Sequence, residues 1–123
     1  MKVLLINGSP RREGNTFIAL SEVARTLRDE GIGAEIVSIG TRAVSPVYYA
    51  GPNGSLCALL DRLFYSCGSL LAYKPAAAVA VCRRGGASAT FDRLNKYFTI
   101  SNMPVVSSQY WNSVHGRLPG EAE

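Results

Sequence analysis

A chain of 123 residues has the length of one domain. Its residues are 47% apolar and 18% charged, a composition typical of a folded globular protein and not of a disordered segment. No apolar run approaches the roughly 20 residues that span a membrane, and the opening run VLLI is too short for a signal peptide, so we predict a cytoplasmic protein with Met1 as its native start. The net charge of +4 suits a small phosphorylated ligand, and without an RNA-binding signature or a continuous basic run we predict no nucleic-acid partner.

The cysteines give no sign of a metal site. Cys57, Cys67 and Cys82 form no CxxC pair, and none has a histidine at metal-ligand spacing. All three stand in apolar surroundings, where a free cysteine behaves as a small hydrophobic residue. We therefore predict three buried free thiols and no bound metal.

The first forty residues predict one β–α–β unit. Residues 2–6 (KVLLI) form a continuous apolar run, which is typical of a strand buried on both faces of a parallel sheet. Residues 16–30 carry apolar side chains at helical spacing, and Gly31 follows as a helix stop. Residues 34–39 (AEIVSI) predict the second strand.

The second half continues the alternation of helix and strand. Residues 54–66 and 88–99 predict helices, each with an apolar stripe. Residues 76–81 (AAAVAV) predict a buried strand, and residues 103–107 (MPVVS) predict the last one. Helices that alternate with apolar strands indicate a single doubly wound α/β domain.

The loop GSPRREGNT joins the first strand to the first helix and is a candidate ligand site, because ligands of open α/β sheets bind at the carboxyl ends of strands. Ser9, Asn15 and Thr16 offer hydrogen-bond donors, and either Arg11 or Arg12 can supply a charged fork. The free N–H groups at the start of the helix favour an anion. The loop matches neither of the two common nucleotide-binding motifs. The alternative is a solvated turn in which Asn or Thr only caps the helix.

Three stretches together resemble the NAD(P)H-dependent FMN reductase family: LLINGSPRREGNT, SPVYYAGPNGSLCALLDRLFY and RRGGASATFDRLNKYFTISNMPVVSSQYWN. The resemblance covers most of the chain and implies a flavodoxin-like fold, a doubly wound parallel sheet with strand order 2-1-3-4-5. It also implies that the first loop holds the FMN phosphate. By this resemblance the phosphate contacts are Ser9, Arg11, Asn15 and Thr16.

The same resemblance makes the Pro- and Tyr-rich segment the second FMN loop. Tyr48 and Tyr49 offer ring area for the flavin, and prolines and glycines hold the backbone close to the ligand. The implied contacts in this loop are Pro46, Val47, Tyr48, Tyr49, Asn53 and Gly54. The alternative is that the two tyrosines only cover the core beside a Pro-Gly turn.

The third implied loop follows the AAAVAV strand. Gly85 and Gly86 let backbone N–H groups approach the pyrimidine edge of the flavin, and Arg84 adds a positive charge that stabilises the reduced ring. A plain surface turn is the alternative interpretation here.

Two features near the end remain open. Trp111 either belongs to an interface, since family members commonly form homodimers or homotetramers, or closes the local core. His115, the only histidine, is interpreted as a surface loop residue. We name no catalytic acid or base, because hydride transfer by a flavin requires none.

The central strand of the expected sheet has no sequence to form it. Only five residues separate Ile39 from Ser45, whereas a parallel crossover takes about a dozen or more, usually with a helix. We therefore expect residues to be absent between about Val44 and Ser45, and the family's closing helix to be absent after residue 123. The compact cysteine cluster of the related iron–sulfur flavoproteins could lie in the absent stretch.

The resulting functional prediction is an FMN-dependent oxidoreductase that passes hydride from NAD(P)H through FMN to a quinone, a flavin or a similar acceptor. A flavodoxin-type electron carrier is the first alternative, although such carriers usually have a Thr-rich phosphate loop and an acidic surface. Arg11 and the positive net charge of the chain favour the reductase over the electron carrier. The second alternative is a binding module that uses the same scaffold without a flavin.

Overall fold

The computed structural model describes residues 1–9, 11, 13–39 and 50–116. The expected break at Val44–Ser45 and the expected truncated helix at residues 119–123 lie outside the described residues. Helices and strands follow one another in this order: β1 (Lys2–Asn7), α1 (Asn15–Asp29), β2 (Gly33–Ser38), α2 (Gly54–Leu71), β3 (Ala80–Cys82), α3 (Ala87–Ile100) and β4 (Ser113–His115).

The predicted β–α–β unit is confirmed to within one or two residues at each boundary. β1 and β2 pair in parallel over their full length, from Lys2 opposite Gly33 to Asn7 opposite Ser38. Helix α1 packs on one face of this pair because its apolar stripe meets the apolar positions of β1. The buried side chains of this small core are Leu5, Leu20 and Ala24.

The opposite face of the β1–β2 pair is partly exposed. Successive side chains of a strand point to opposite faces, so Leu4 lies across the sheet from the α1-facing Leu5. Leu4 is 58% exposed and Val37, on β2, is 38% exposed. On this face Leu4 is exposed and Ile6 is half-buried, whereas the sequence predicted a strand buried on both faces.

The second half of the molecule holds the larger core. β3 and β4 pair in parallel, with Ala80 opposite Ser113 and Cys82 opposite His115. Helices α2 and α3 pack on this region, and the ring of Phe64 lies 5.4 Å from that of Tyr97 and 6.2 Å from that of Phe98. The buried side chains of this core are Leu60, Ala78, Ala80, Cys82, Ala87, Phe91 and Leu94.

The last strand is not where the sequence predicted it. The predicted strand at residues 103–107 is reduced to one parallel bridge between Val105 and Ala76, and the regular strand is β4 instead. The apolar run was misleading because Pro104 carries no N–H for a ladder. His115 ends β4 and is exposed, so its predicted surface position is confirmed and its predicted loop is wrong.

The described strands are all parallel and alternate with helices, as the predicted flavodoxin-like α/β fold requires. Within residues 1–39 and 50–116 they form two two-stranded sheets, with β1 next to β2 and β3 next to β4. None of the helices described is both long enough and apolar enough to cross a membrane.

Candidate cofactor site

The turn after β1 is held by a buried asparagine that sequence reasoning did not single out. Asn7 is fully buried, and its Oδ1 accepts a hydrogen bond from the backbone N–H of Ser9 at 3.0 Å. Its Nδ2 donates to the hydroxyl of Ser38 at the end of β2, at 3.2 Å. The Ser9 hydroxyl accepts in turn from the N–H of Arg11 at 3.3 Å. The only signal in the sequence was a polar residue that closed an apolar strand, directly before a glycine.

The start of α1 leaves its backbone donors open. The residue that precedes the helix, Gly14, has no side chain to cap it, and the first helical bond runs from the N–H of Ile18 to the carbonyl of Gly14 at 3.1 Å. The N–H groups ahead of Ile18 therefore have no partner within the helix. Asn15 also has a buried amide oxygen without a hydrogen-bond partner in the described part of the chain. This end of the helix has the donors and the dipole that an anion requires.

The remaining predicted phosphate contacts surround that helix end. Ser9 is buried, Thr16 is half-buried in the first turn, and Arg11 is exposed. A serine hydroxyl that accepts one bond keeps its own hydrogen free to donate. Ser9 and Arg11 thus lie in the loop, and Asn15 and Thr16 lie in the first turn of α1. The contact of these residues with a phosphate stays a prediction.

Asn53 connects this loop to the start of α2. Its Oδ1 accepts from the N–H of Leu56 at 2.8 Å, which is a helix N-cap. Its Nδ2 donates to the carbonyl oxygen of Gly8 in the first loop. Both ends of the side-chain amide are therefore engaged by the protein itself. Asn53 positions two loops relative to each other, and this role differs from the flavin contact that the sequence predicted.

Gly8 lies close to the side chain of Leu56 at the start of α2. A Cβ atom added to Gly8 would lie 2.8 Å from Cδ2 of Leu56, which is closer than real contacts allow. Gly54, in contrast, begins α2 on the surface and has no atom within 4 Å of an added Cβ. The first loop therefore owes its close packing on α2 to Gly8 and Asn53.

The third loop reverses the chain at a glycine and opens α3 without a cap. Gly86 has a φ angle of +113°, a left-handed conformation that other residues adopt only with strain. It precedes the first turn of α3 and offers no capping side chain. Arg84 and Gly85 lie exposed on the outside of the turn. This helix start resembles that of α1 in having no side-chain cap.

A buried thiol lies beneath the third loop. Cys82 ends β3 and is 4% exposed. Burial raises the pKa of the thiol, and backbone N–H groups of Ala87 and Arg84 offset part of that rise. The thiol is therefore protonated at neutral pH, and its predicted burial is confirmed. Cys57 and Cys67 are also free but only half-buried.

A cleft of about 460 Å³ lies between the end of the second loop and helix α3. Ala50 to Pro52 line one side, and exposed side chains of α3 line the other, among them Arg93 and Lys96. Arg93 lies over the ring of Tyr97 at 5.7 Å, and this neighbour raises the pKa of the guanidinium. The predicted contacts Pro46, Val47, Tyr48 and Tyr49 precede this segment and lie outside the described residues.

Two aromatic side chains form an exposed pair after the Val105 bridge. Tyr110 is 73% and Trp111 is 56% exposed, and their ring centroids are 5.5 Å apart. The interpretation that Trp111 closes the local core is therefore wrong. An exposed aromatic pair is typical of an interface.

The described residues contain no group of three or more histidine, cysteine, aspartate or glutamate side chains that could hold a metal ion. All three cysteines of the chain belong to this described part. An iron–sulfur cluster is commonly held by four cysteine thiolates, so the residues present do not fit one.

Comparisons with known proteins show what this chain is similar to. The model of the family described as NADPH-dependent FMN reductase matches the chain in two pieces, residues 1–42 and 43–117. An iron–sulfur flavoprotein of Methanocaldococcus jannaschii is 28% identical over 168 residues, which cover 100% of this chain and 87% of that protein. Because this chain has 123 residues, about 45 residues of the relative lie opposite gaps. No solved structure gives a significant match.

Proposed function

The chain belongs to the NADPH-dependent FMN reductase family, and from that premise we propose that it passes hydride from NAD(P)H through FMN to a small acceptor such as a quinone or a flavin. Its class is that of an oxidoreductase with FMN as cofactor. The observation that carries the proposal is the pair of uncapped helix starts. Both α1 and α3 follow strand ends and begin after glycines with no capping side chain.

The start of α1 is the proposed phosphate site. A phosphate there would accept from the free N–H groups ahead of Ile18 and from the hydroxyls of Ser9 and Thr16. Rotating the Asn15 amide by 180° places its NH2 donor where the unpartnered oxygen now lies. Arg11, exposed beside the turn, would add a charged hydrogen bond.

The third loop is the proposed site for the polar edge of the flavin. The N–H groups at the start of α3 and the charge of Arg84 favour the negative charge that the ring gains on reduction. Gly85 and Gly86 keep side chains away from this approach. FMN itself supplies the chemistry of hydride acceptance, and the protein supplies binding, orientation and electrostatics.

The second loop is the proposed wall for the ring. We assign Pro46, Val47, Tyr48 and Tyr49 to contacts with the flavin faces, as the resemblance implies. Asn53 supports this wall indirectly because it fixes the start of α2 against the first loop. Gly54 allows the backbone to pass close by without a side chain.

The assembly and the electron path follow from the same premise. The exposed Tyr110–Trp111 pair supports an interface between copies of the chain, so we propose a homodimer or homotetramer that acts in the cytoplasm. The relative is an iron–sulfur flavoprotein, but this chain has three cysteines, which form no metal-binding group with their described neighbours. We therefore propose no electron transfer through an iron–sulfur cluster.

The proposal is tested by adding FMN to the purified apoprotein and recording the spectrum and the fluorescence of the flavin. Binding followed by steady oxidation of NADPH or NADH with a quinone is the expected result. Binding without steady turnover would identify an electron carrier instead. If FMN does not bind, the protein is a binding module without a flavin. Comparison of the rates with NADPH and NADH identifies the preferred electron donor.

A further inference from the structure

The cleft between the end of the second loop and helix α3 has two positively charged side chains that are not among the predicted FMN contacts. Arg93 and Lys96 stand three residues apart on α3, so their side chains lie on the same side of the helix. Both line the cleft and both are exposed. Among the described lining residues Asp92 is the only carboxylate, so this rim has a net positive charge.

The guanidinium of Arg93 is oriented by its neighbours and not by an acidic partner. It lies 5.7 Å from the centre of the Tyr97 ring, and the hydroxyl of Tyr97 donates to Asp61 on α2. None of the ion pairs within the described residues involves Arg93 or Lys96. In this part of the chain both side chains can therefore donate charged hydrogen bonds to an anion that enters the cleft.

The walls of the cleft leave room for part of a nucleotide. Its volume of about 460 Å³ is typical of a small-molecule site. The side opposite α3 consists of the small residues Ala50, Gly51 and Pro52, and a Cβ atom added to Gly51 would have no atom within 4 Å. Cys57 and Ala89 add apolar atoms to the lining. Apolar walls with two cations at the rim suit a ring system that carries a phosphate.

The position of the cleft along the chain connects it with the proposed flavin site. Ala50 directly follows Tyr49, the last residue of the proposed wall for the ring. Helix α3 begins at the third loop, the proposed site for the polar edge of the flavin. For hydride transfer the nicotinamide of the donor must lie against the flavin. The adenosine half of the donor must then extend over a neighbouring surface, and the cleft is next to both proposed flavin loops.

We propose that Arg93 and Lys96 bind the phosphate on the 2′ position of the adenosine ribose of NADPH, and that they make NADPH the preferred electron donor. NADH has a hydroxyl at this position, and the two donors are otherwise the same. Arg93 supplies a planar fork of N–H donors, and Lys96 supplies a compact charge. The inference rests on the proposed function, which takes NAD(P)H as the donor, and it adds the residues that select between the two forms.

Steady-state kinetics of the FMN-loaded protein test the assignment. Arg93→Gln and Lys96→Gln should each raise the KM for NADPH roughly tenfold, the lower end of the range for a charged hydrogen bond, because both side chains are exposed. The KM for NADH should change much less. The kcat should not change with either donor, because the 2′-phosphate is remote from the reacting atoms. Arg62→Gln, at an exposed arginine on α2 outside the cleft lining, is the charge-matched control and should change neither KM.

Isothermal titration calorimetry gives a second readout that needs no turnover. The probe is adenosine 2′,5′-bisphosphate, and its control is AMP, which lacks the 2′-phosphate. Both are titrated into the protein with FMN and without FMN. We expect the wild type to bind the bisphosphate roughly tenfold more tightly than AMP. Arg93→Gln and Lys96→Gln should each reduce this difference, whereas Arg62→Gln should retain it.

The possible results separate this inference from the proposed function. If the wild type binds the two nucleotides equally in both forms, or if the Arg93 and Lys96 variants weaken NADPH and NADH to the same extent, the inference is wrong. Steady turnover with an unchanged preference for NADPH in both variants would also overturn it but would keep the proposed function. Selective binding of the bisphosphate through Arg93 and Lys96 by a protein that does not bind FMN would keep the phosphate site and overturn the proposed function.

Discussion

The three helices in the described part of the chain start in two different ways. α2 begins at Asn53, whose side chain caps the helix and also donates to the carbonyl of Gly8. α1 and α3 begin after Gly14 and Gly86, which have no side chain to offer. A helix start whose N–H groups are capped by a side chain of the protein has a structural role. A helix start without a side-chain cap, at the end of a strand, favours an anion. The difference separates the residues that build the site from those that we expect to contact the ligand.

The largest expected effect is at the open start of α1. Arg11→Ala should weaken FMN binding by about 1.5–3 kcal/mol, the scale of a charged hydrogen bond. The unfolding free energy of the apoprotein should hardly change, because the Arg11 side chain is exposed. Flavin fluorescence titration measures the affinity. The exposed Arg62→Ala on α2 is the charge-matched control, and equal affinity in both variants would remove Arg11 from the site.

The open start of α3 depends on its glycine. Gly86→Ala should lower the unfolding free energy by about 1–2 kcal/mol, since a left-handed φ is unfavourable for a residue with a Cβ atom. Urea denaturation of the apoprotein measures this loss. Gly85→Ala is the adjacent control, because Gly85 has open space around it and its φ angle is not left-handed. Similar losses in both variants would contradict the special role of Gly86.

Two substitutions of Asn53, at the start of α2, should change the stability by different amounts. Asn53→Ala removes both the cap and the bond to Gly8, and the loss of a cap alone costs about 1 kcal/mol. Asn53→Asp keeps an acceptor for the N–H of Leu56 but has no donor for Gly8. We expect the Asp variant to retain most of the stability and to show faster hydrogen exchange in the first loop. Equal stability of the two variants would mean that the cap contributes little.

The smallest effect concerns pH and the thiol beneath the third loop. The folded pKa of Cys82 is raised above its ordinary value of 9.0 by burial, so the unfolded chain loses this proton first as the pH rises. Its contribution to stability is therefore complete below about pH 9 and is lost as the pH rises toward the folded pKa. Thermal unfolding between pH 7 and 10 should show this fall in the wild type and in Cys67→Ala. In Cys82→Ala the fall should be shallower, and an unchanged slope would contradict the assignment.

The first half of the fold was predictable because hydrophobic periodicity reports burial directly. β1, α1 and β2 combine a continuous apolar run, an apolar stripe at helical spacing and a glycine stop, and their predicted boundaries fit the structure closely. The position of β4 was not predictable in this way. Ser113–His115 is three residues long, and two of the three are polar. It is a strand because it lies beside β3. Tertiary pairing decides such short strands, and no local pattern records it.

The site was predictable in its loops and less so in the roles of single residues. Both the loop around Ser9 and the turn at Gly86 follow strands, as the sequence predicted. Ligand binding at these strand ends stays a prediction from the fold. The role of Asn7 depends on the distance between the ends of β1 and β2, which no local pattern contains. For Asn53 the sequence indicated a polar residue at a helix start. Its second bond, to Gly8, joins residues 45 positions apart in the chain.

The buried Asn7 has a further consequence for binding. Its amide accepts from the N–H of Ser9 and donates to Ser38 on β2, so folding itself orders the turn at Ser9. Conformational entropy that is lost during folding does not have to be lost again when a ligand binds. Asn7 would then affect the FMN affinity without contacting FMN, because it limits the conformations that the turn at Ser9 adopts before binding.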